Sequence, residues 1–284
     1  MGDRKKVTLP VIYEKMTSGV PLTMVTCYDY PMAYLQEEAG IDIILVGDSL
    51  GMTILGFDST LPVTMDDMLR HAQAVRRGSP NAWLVGDMPY MSYQVSDEDA
   101  VRNAGRFMAE AACDAVKLEG GAEMASRVRA IANAGIPVMG HLGLTPQSAA
   151  SLGGFRLQGK SAEQALKIVR DAEALIATGV AAILLELVPD QVTGLITGMA
   201  KVPIISLGSG PNAHGQLLIF HDMFGLYPKF TPKMAKKYGD AGKVILDGLR
   251  QYVAEIKAKV FPEPERYFRM KDEEYEKLKR LVEG

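Results

Sequence analysis

Three carboxylates fall where short apolar runs give way to glycine or proline: Asp48 in "LVGDSLG", Asp87 in "WLVGDMPY" and Glu119 in "VKLEGG". If those runs are neighbouring strands, roughly 5 Å apart, their ends can converge on one hard cation. An all-oxygen donor set suits Mg²⁺, which takes one or two carboxylates and keeps several waters. Lys117 stands two residues before Glu119, so on a strand both side chains share a face. A cation and a lysine side by side would grip a small 2-oxo acid through its carboxylate and keto oxygen. They would also stabilise the enolate left when a proton is removed alpha to the carbonyl. That reaction needs a base. Glu186 follows "VAAILL" and precedes "LVP", apolar company that makes a carboxylate a better proton acceptor. His141 is the alternative base, or a hydrogen-bond donor that holds a strand end or ligand. A structural ion pair would explain any one of these charges, but not their recurrence at successive strand ends.

The elements that must position these residues are legible in the hydrophobic pattern. Apolar runs at 21–26, 41–48, 82–87, 114–119, 136–141, 180–186, 202–208 and 216–222 alternate with longer stretches of helical period. Near-continuous apolar runs are expected of parallel strands buried on both faces. Ser/Thr residues followed three positions later by Asp or Gln, namely Thr64 with Asp67, Ser96 with Asp99 and Ser161 with Gln164, predict capping boxes at helix starts. Eight such units predict an α/β fold, a (β/α)8 TIM barrel, whose chemistry sits at the carboxyl ends of the strands. A doubly wound dinucleotide fold would place glycines at the first strand-to-helix turn, and "TCYDYPMAY" there has none. The reading divides the chain into a catalytic barrel over 1–262 and a charged helical extension over 263–284, either solvated or a subunit contact.

Composition excludes other classes. With 284 residues, 48% of them hydrophobic, the chain can bury a large core. A net charge of −3 with scattered Lys and Arg argues against nucleic acid, which calls for a basic patch. No apolar run approaches signal-peptide or membrane-span length, so a soluble, non-secreted protein is expected. Cys27 and Cys113 are too few for a disulfide framework and are expected to be reduced, packed thiols, with Cys27 the nearer to function at its strand end. "LEGG" and "LGGF" lack the spacing of a phosphate-binding loop, and the sixteen methionines suit core packing better than a ligand surface.

The segments "TCYDYPMA", "LVGDSLGMTILGFDSTLPVTMDDMLRHAQAVRRG", "VKLEGG", "GHLGLTPQS" and "HGQLLIFHDMFGL" resemble, in order, those of the ketopantoate hydroxymethyltransferase family. The resemblance runs from about residue 7 to residue 262. It implies a TIM barrel of the phosphoenolpyruvate mutase and isocitrate lyase kind. The implied activity is transfer of a one-carbon unit from 5,10-methylenetetrahydrofolate to 3-methyl-2-oxobutanoate, giving 2-dehydropantoate. By resemblance Asp48 and Asp87 bind Mg²⁺ and lie against the keto acid, and Glu119 completes the metal environment. Ser49 and Lys117 match the substrate-binding serine and lysine, and Glu186 the proton acceptor. A large cytoplasmic homo-oligomer is also implied.

One region departs from the family pattern. Where "IGIGAG" and then "DGQ" are common, this chain reads "ISLGSGPNAHGQ", with Ser206, Ser209 and His214 in place of glycine, alanine and aspartate. If all three lie in a loop near the active face, they would narrow or recharge the second-substrate pocket. The alternatives are a paralogue using another 2-oxo acid or one-carbon donor, a Mg-dependent lyase or mutase of the same superfamily, and a silent 2-oxo-acid-binding barrel. Lyases of that kind often use a cysteine on a mobile loop, and no cysteine follows Cys113.

Overall fold

The computed structural model describes residues 4–150, 153, 154 and 156–284; Leu152 and Phe155 of "LGGF" lie outside the described residues. Eight strands close into one parallel barrel, β8 returning to β1. They are β1 Leu22–Thr26, β2 Ile43–Val46, β3 Trp83–Asp87, β4 Ala115–Glu119, β5 Val138–Gly143, β6 Ala182–Glu186, β7 Ile204–Leu207 and β8 Gly215–Leu218. The helices are α1 Leu9–Thr17, α2 Tyr30–Glu38, α3 Leu50–Thr53, α4 Met65–Gly78, α5 Asp97–Ala111, α6 Ala125–Asn133, α7 Ala162–Ile176, α8 Asp190–Met199, α9 Phe220–Met223, α10 Ala241–Lys257 and α11 Asp272–Glu283. The TIM-barrel expectation holds.

Strand alternation sorts the side chains into two cores. Leu22, Met24, Ile43, Trp83, Met139 and Leu184 fill the barrel interior. Their odd-numbered or even-numbered neighbours, such as Ile44, Leu84, Val116 and Ile183, pack under the helices. Buried apolar surface on both sides of β2 to β7 supplies the main driving force, roughly 25 cal/mol per Å² removed from water. Continuing the same alternation upward, Asp87, Lys117, Glu119, His141 and Glu186 all point into the mouth, above the apolar layers.

The opposite end is closed by α1. Its Ile12 is fully buried with the interior cluster, and the Tyr13 hydroxyl donates to the Ala181 carbonyl just below β6. At Thr64 the capping box is complete in both directions. Ser96 and Ser161 cap their helices without the reciprocal bond, because Asp99 pairs with Arg102 and Gln164 accepts from Lys160 N.

Two expectations about the last strands are corrected. Residues 208–214 join β7 to β8 without a helix, so this unit lacks its α layer. The eighth strand, expected over 216–222, ends at Leu218 and the chain turns into α9. The Phe220 N–H donates to Thr26 Oγ1 at the end of β1, which draws the chain off the ladder.

Candidate active site

The strand register sets Asp87 beside Lys117, Glu119 beside His141, and Gly143 beside Glu186. Asp48 and Ser49 follow β2 in the turn that opens α3. The turn is held by the Asp48 N–H, which donates to Asp87 Oδ2 at 3.0 Å, and by a 2.8 Å hydrogen bond between Ser49 and the Tyr28 hydroxyl. All six residues singled out from sequence, Asp48, Ser49, Asp87, Lys117, Glu119 and Glu186, line one cavity of about 420 Å³ at the carboxyl end of the barrel, together with His141.

Lys117 is the hub. Its Nζ lies 2.8 Å from Asp87 Oδ1, 3.9 Å from Glu119 Oε1 and 3.2 Å from His141 Nδ1. Burial opposes its charge, but Asp87, Glu119 and Asp48 outweigh that and hold the ammonium above its ordinary pKa. The same burial raises Asp48, helped by the Glu119 charge and opposed by Lys117. Burial pushes Glu119 up to about 7, against Lys117 and a hydrogen bond from Gln147 N–H. His141 is lowered by burial and by Lys117, so it is a neutral imidazole whose Nδ1 accepts from the lysine. Its Nε2, carrying the proton, then lies 3.2 Å from Glu186 Oε2. The contact falls short of a formed hydrogen bond and leaves His141 beside Glu186 rather than in its place as base.

Glu186 is fixed from behind. Leu144 N–H donates to its backbone carbonyl at 2.8 Å. Gly143 sits at φ +91°, where a β-carbon would come within 2.2 Å of that carbonyl oxygen. Only glycine permits this approach.

Sequence reasoning missed Gln147 and Tyr93. Gln147 Nε2 donates to Asp48 Oδ2 at 3.0 Å and to the Met88 carbonyl at 2.9 Å, while its backbone N–H donates to Glu119 Oε2 at 2.9 Å. The Tyr93 hydroxyl, 2.8 Å from Gln147 Oε1, also takes a bond from Glu119 N–H. The pair brackets both carboxylates. Gln147 lies within the quoted "GHLGLTPQS" segment, but its reach to residue 48 is a long-range contact with no local signature.

The donor chemistry fits a hard divalent cation. Glu119 Oε1 is buried without a hydrogen-bond partner, Asp87 Oδ1 meets the Lys117 ammonium alone, and Asp48 completes an oxygen-only set. Among the described residues no three His, Cys, Asp or Glu side chains already form a metal cage. Magnesium does not need one, since it retains waters and uses one or two protein carboxylates.

The residues that depart from the family pattern lie elsewhere than expected. Ser206 is in β7 and faces the helix layer, since its neighbours Ile205 and Leu207 face the interior. Its Oγ accepts from Ser209 N–H, and Ser209 Oγ donates to the Leu185 carbonyl and accepts from Val188 N–H. These hydroxyls tie β6 to β7 and do not line the cavity. His214 precedes β8 at the amino end of the barrel, with Nδ1 accepting from Ile204 N–H, on the face opposite the site. Neither cysteine lines the cavity. Both are free and buried, with thiols pushed up to about 12 by burial, so the expectation that Cys27 stands near function is corrected. Among the described residues no helix is long and apolar enough to cross a membrane.

Residues 6–264 match the family model described as ketopantoate hydroxymethyltransferase. The 3-methyl-2-oxobutanoate hydroxymethyltransferase of Carboxydothermus hydrogenoformans is 50% identical over 273 residues, covering 96% of this chain and 99% of the relative. That of Moorella thermoacetica is 51% identical, covering 95% and 100%, and that of Ignicoccus hospitalis 53%, covering 91% and 97%. Among solved structures, 2,3-dimethylmalate lyase, described as a member of the PEP mutase/isocitrate lyase superfamily, superposes with a TM-score of 0.59 at 15% identity, covering 98% of this chain and 100% of the other. Phosphonopyruvate hydrolase with oxalate and Mg²⁺ superposes at 0.58 and 15%, covering 97% of each; such distant likenesses show the fold. Matched by the family model over most of its length and about half identical to curated relatives, this chain belongs to the ketopantoate hydroxymethyltransferase family and is a hydroxymethyl-transferring enzyme.

Proposed function

We propose that the chain transfers the one-carbon unit of 5,10-methylenetetrahydrofolate to 3-methyl-2-oxobutanoate, with net uptake of one water and release of tetrahydrofolate and 2-dehydropantoate. The observation that carries this reading is the placement of Glu186 across one cavity from Asp48, Asp87 and Lys117, joined to them through neutral His141. Asp48 and Asp87, with Glu119, are the residues to hold Mg²⁺, as the phosphonopyruvate hydrolase with the same fold is reported with that ion. When bound, the ion supplies Lewis-acid stabilisation of the charge that develops on the keto oxygen. Lys117 holds the substrate carboxylate, and Ser49, steadied by Tyr28, adds a hydroxyl partner. Glu186 Oε2 takes the C3 proton, with His141 Nε2 3.2 Å from that oxygen. The apolar wall of Leu144, Leu184 and Leu207 excludes water while the resulting carbanion meets the folate methylene carbon.

A cysteine-dependent lyase is disfavoured, because neither buried thiol reaches the cavity. Homo-oligomeric assembly is supported by the exposed apolar side chains of α10, including Val244, Leu249, Tyr252 and Val253. Incubation with Mg²⁺, 3-methyl-2-oxobutanoate and methylenetetrahydrofolate, with product detected by mass, tests the assignment. Formation of 2-dehydropantoate is expected; its absence with folding and metal binding intact would redirect the reading to another donor or 2-oxo acid.

A further inference from the structure

Asp222 is a carboxylate that the reaction at Glu186 leaves unexplained. It sits in α9, 6% exposed, and lines the same cavity. Among the described residues no hydrogen bond or ion pair reaches its carboxylate. Its placement is fixed by the chain on either side. Phe220 N–H donates to Thr26 Oγ1 at 3.0 Å, and Tyr238 N–H donates to the Met223 carbonyl at 2.8 Å. Its oxygens open into the cavity rather than being sealed off in the fold, so a donor on a ligand can reach them.

The keto acid is the wrong partner, since it is itself an anion and would be repelled. The surroundings describe a different molecule. Leu217, Ile219, Tyr227, Phe230 and Met234 line the same cavity as Asp222, as does the exposed Lys233. A ligand suited to this site is flat and apolar in its middle, carries N–H donors at its buried end, and is anionic at its outer end. A reduced pterin with a glutamate tail has that polarity. Its ring amide N–H and 2-amino group form a donor pair that a carboxylate can accept side by side.

We infer that Asp222 is the residue that receives the donor edge of the pterin ring, making the α9 side of the cavity the folate subsite. The assignment rests on the folate reading above and adds to it where the ring lies and which group selects it. A site built to accept from a ligand N–H rejects an analogue lacking it strongly, because the carboxylate is then left unpaired.

The test is calorimetric titration, with Mg²⁺ and 3-methyl-2-oxobutanoate present, of tetrahydrofolate and of its 2-desamino-2-methyl analogue, which lacks the amino donor. The wild-type chain should prefer tetrahydrofolate by at least tenfold. Asp222→Asn, shown to be folded by its melting midpoint, should lose at least tenfold in affinity for tetrahydrofolate and change less than threefold for the analogue. Equal losses for both ligands would indicate a structural role and overturn the inference, as would wild-type parity between them, a result that needs no variant. Undiminished tetrahydrofolate binding by Asp222→Asn would overturn the Asp222 assignment while leaving the folate reading standing. Failure of the wild type to bind tetrahydrofolate at all would overturn both.

Discussion

Replacing Gln147 by leucine changes side-chain volume little and removes its hydrogen bonds. Asp48 Oδ2 loses the amide donor at 3.0 Å, and the Met88 carbonyl loses the one at 2.9 Å. Hydrogen bonds to charged groups are worth about 1.5–3 kcal/mol, and a buried carbonyl left unpaired costs about 1–3 kcal/mol. The Tyr93 hydroxyl loses its acceptor Gln147 Oε1 but can still donate to the Glu119 carbonyl at 3.3 Å, so its share is nearer 1 kcal/mol. The expected destabilisation is about 3.5–7 kcal/mol, measured by urea unfolding in a chelating buffer. With its orienting donor gone, Asp48 should also hold a divalent cation less well, by roughly tenfold or more, as is usual for partners of metal-ligating groups. Mn²⁺ titration followed by electron paramagnetic resonance reads this separately from stability. A variant within 1 kcal/mol of wild type that binds Mn²⁺ within twofold of it would show that Gln147 neither stabilises nor orients the site.

Three further outcomes follow from the same geometry. Glu119 is raised from 4.5 to about 7 in the folded chain, so the folded state keeps a proton that the unfolded state releases; its contribution is full below pH 4.5 and lost as pH rises through 7. Without metal, the stability of wild type relative to Glu119→Gln should therefore fall by up to about 3 kcal/mol between pH 5 and 7.5, and a flat difference would contradict the burial argument. Gly143→Ala forces a side chain into positive φ and against the Glu186 carbonyl; about 3 kcal/mol of lost stability is expected in thermal melts, with reduced turnover in the material that still folds. Lys117→Met strands Asp87 and Glu119 without their cation, a loss of about 3–5 kcal/mol at neutral pH that chemical denaturation should show shrinking as acid protonates the carboxylates.

How far the sequence reveals this molecule depends on the range of the interactions concerned. Strands buried on both faces announce themselves as apolar runs, and period-two alternation carried from Val85 to Asp87, or from Ala115 through Lys117 to Glu119, is enough to aim those side chains into the mouth. The same alternation, applied to Ile205 and Leu207, would have turned Ser206 away from the site. It was the assumption of a loop that misplaced it. The end of β8 depends on Thr26, nearly two hundred residues earlier, and nothing in "LLIFHD" marks it. Gln147 and Tyr93 act through contacts between distant segments, which local pattern cannot supply. His214 shows the reverse risk, because a short helix-free return carries it from the active face to the opposite end within seven residues.

The central claim is that Glu186 takes the C3 proton of 3-methyl-2-oxobutanoate at a site completed by a divalent cation. Deuterium incorporation at C3, followed by proton NMR in D₂O without folate, tests it in isolation from the transfer step. The account predicts Mg²⁺-dependent exchange by the wild type and a loss of at least a hundredfold in Glu186→Gln, in line with removal of a general base. Exchange at the wild-type rate in Glu186→Gln would contradict it.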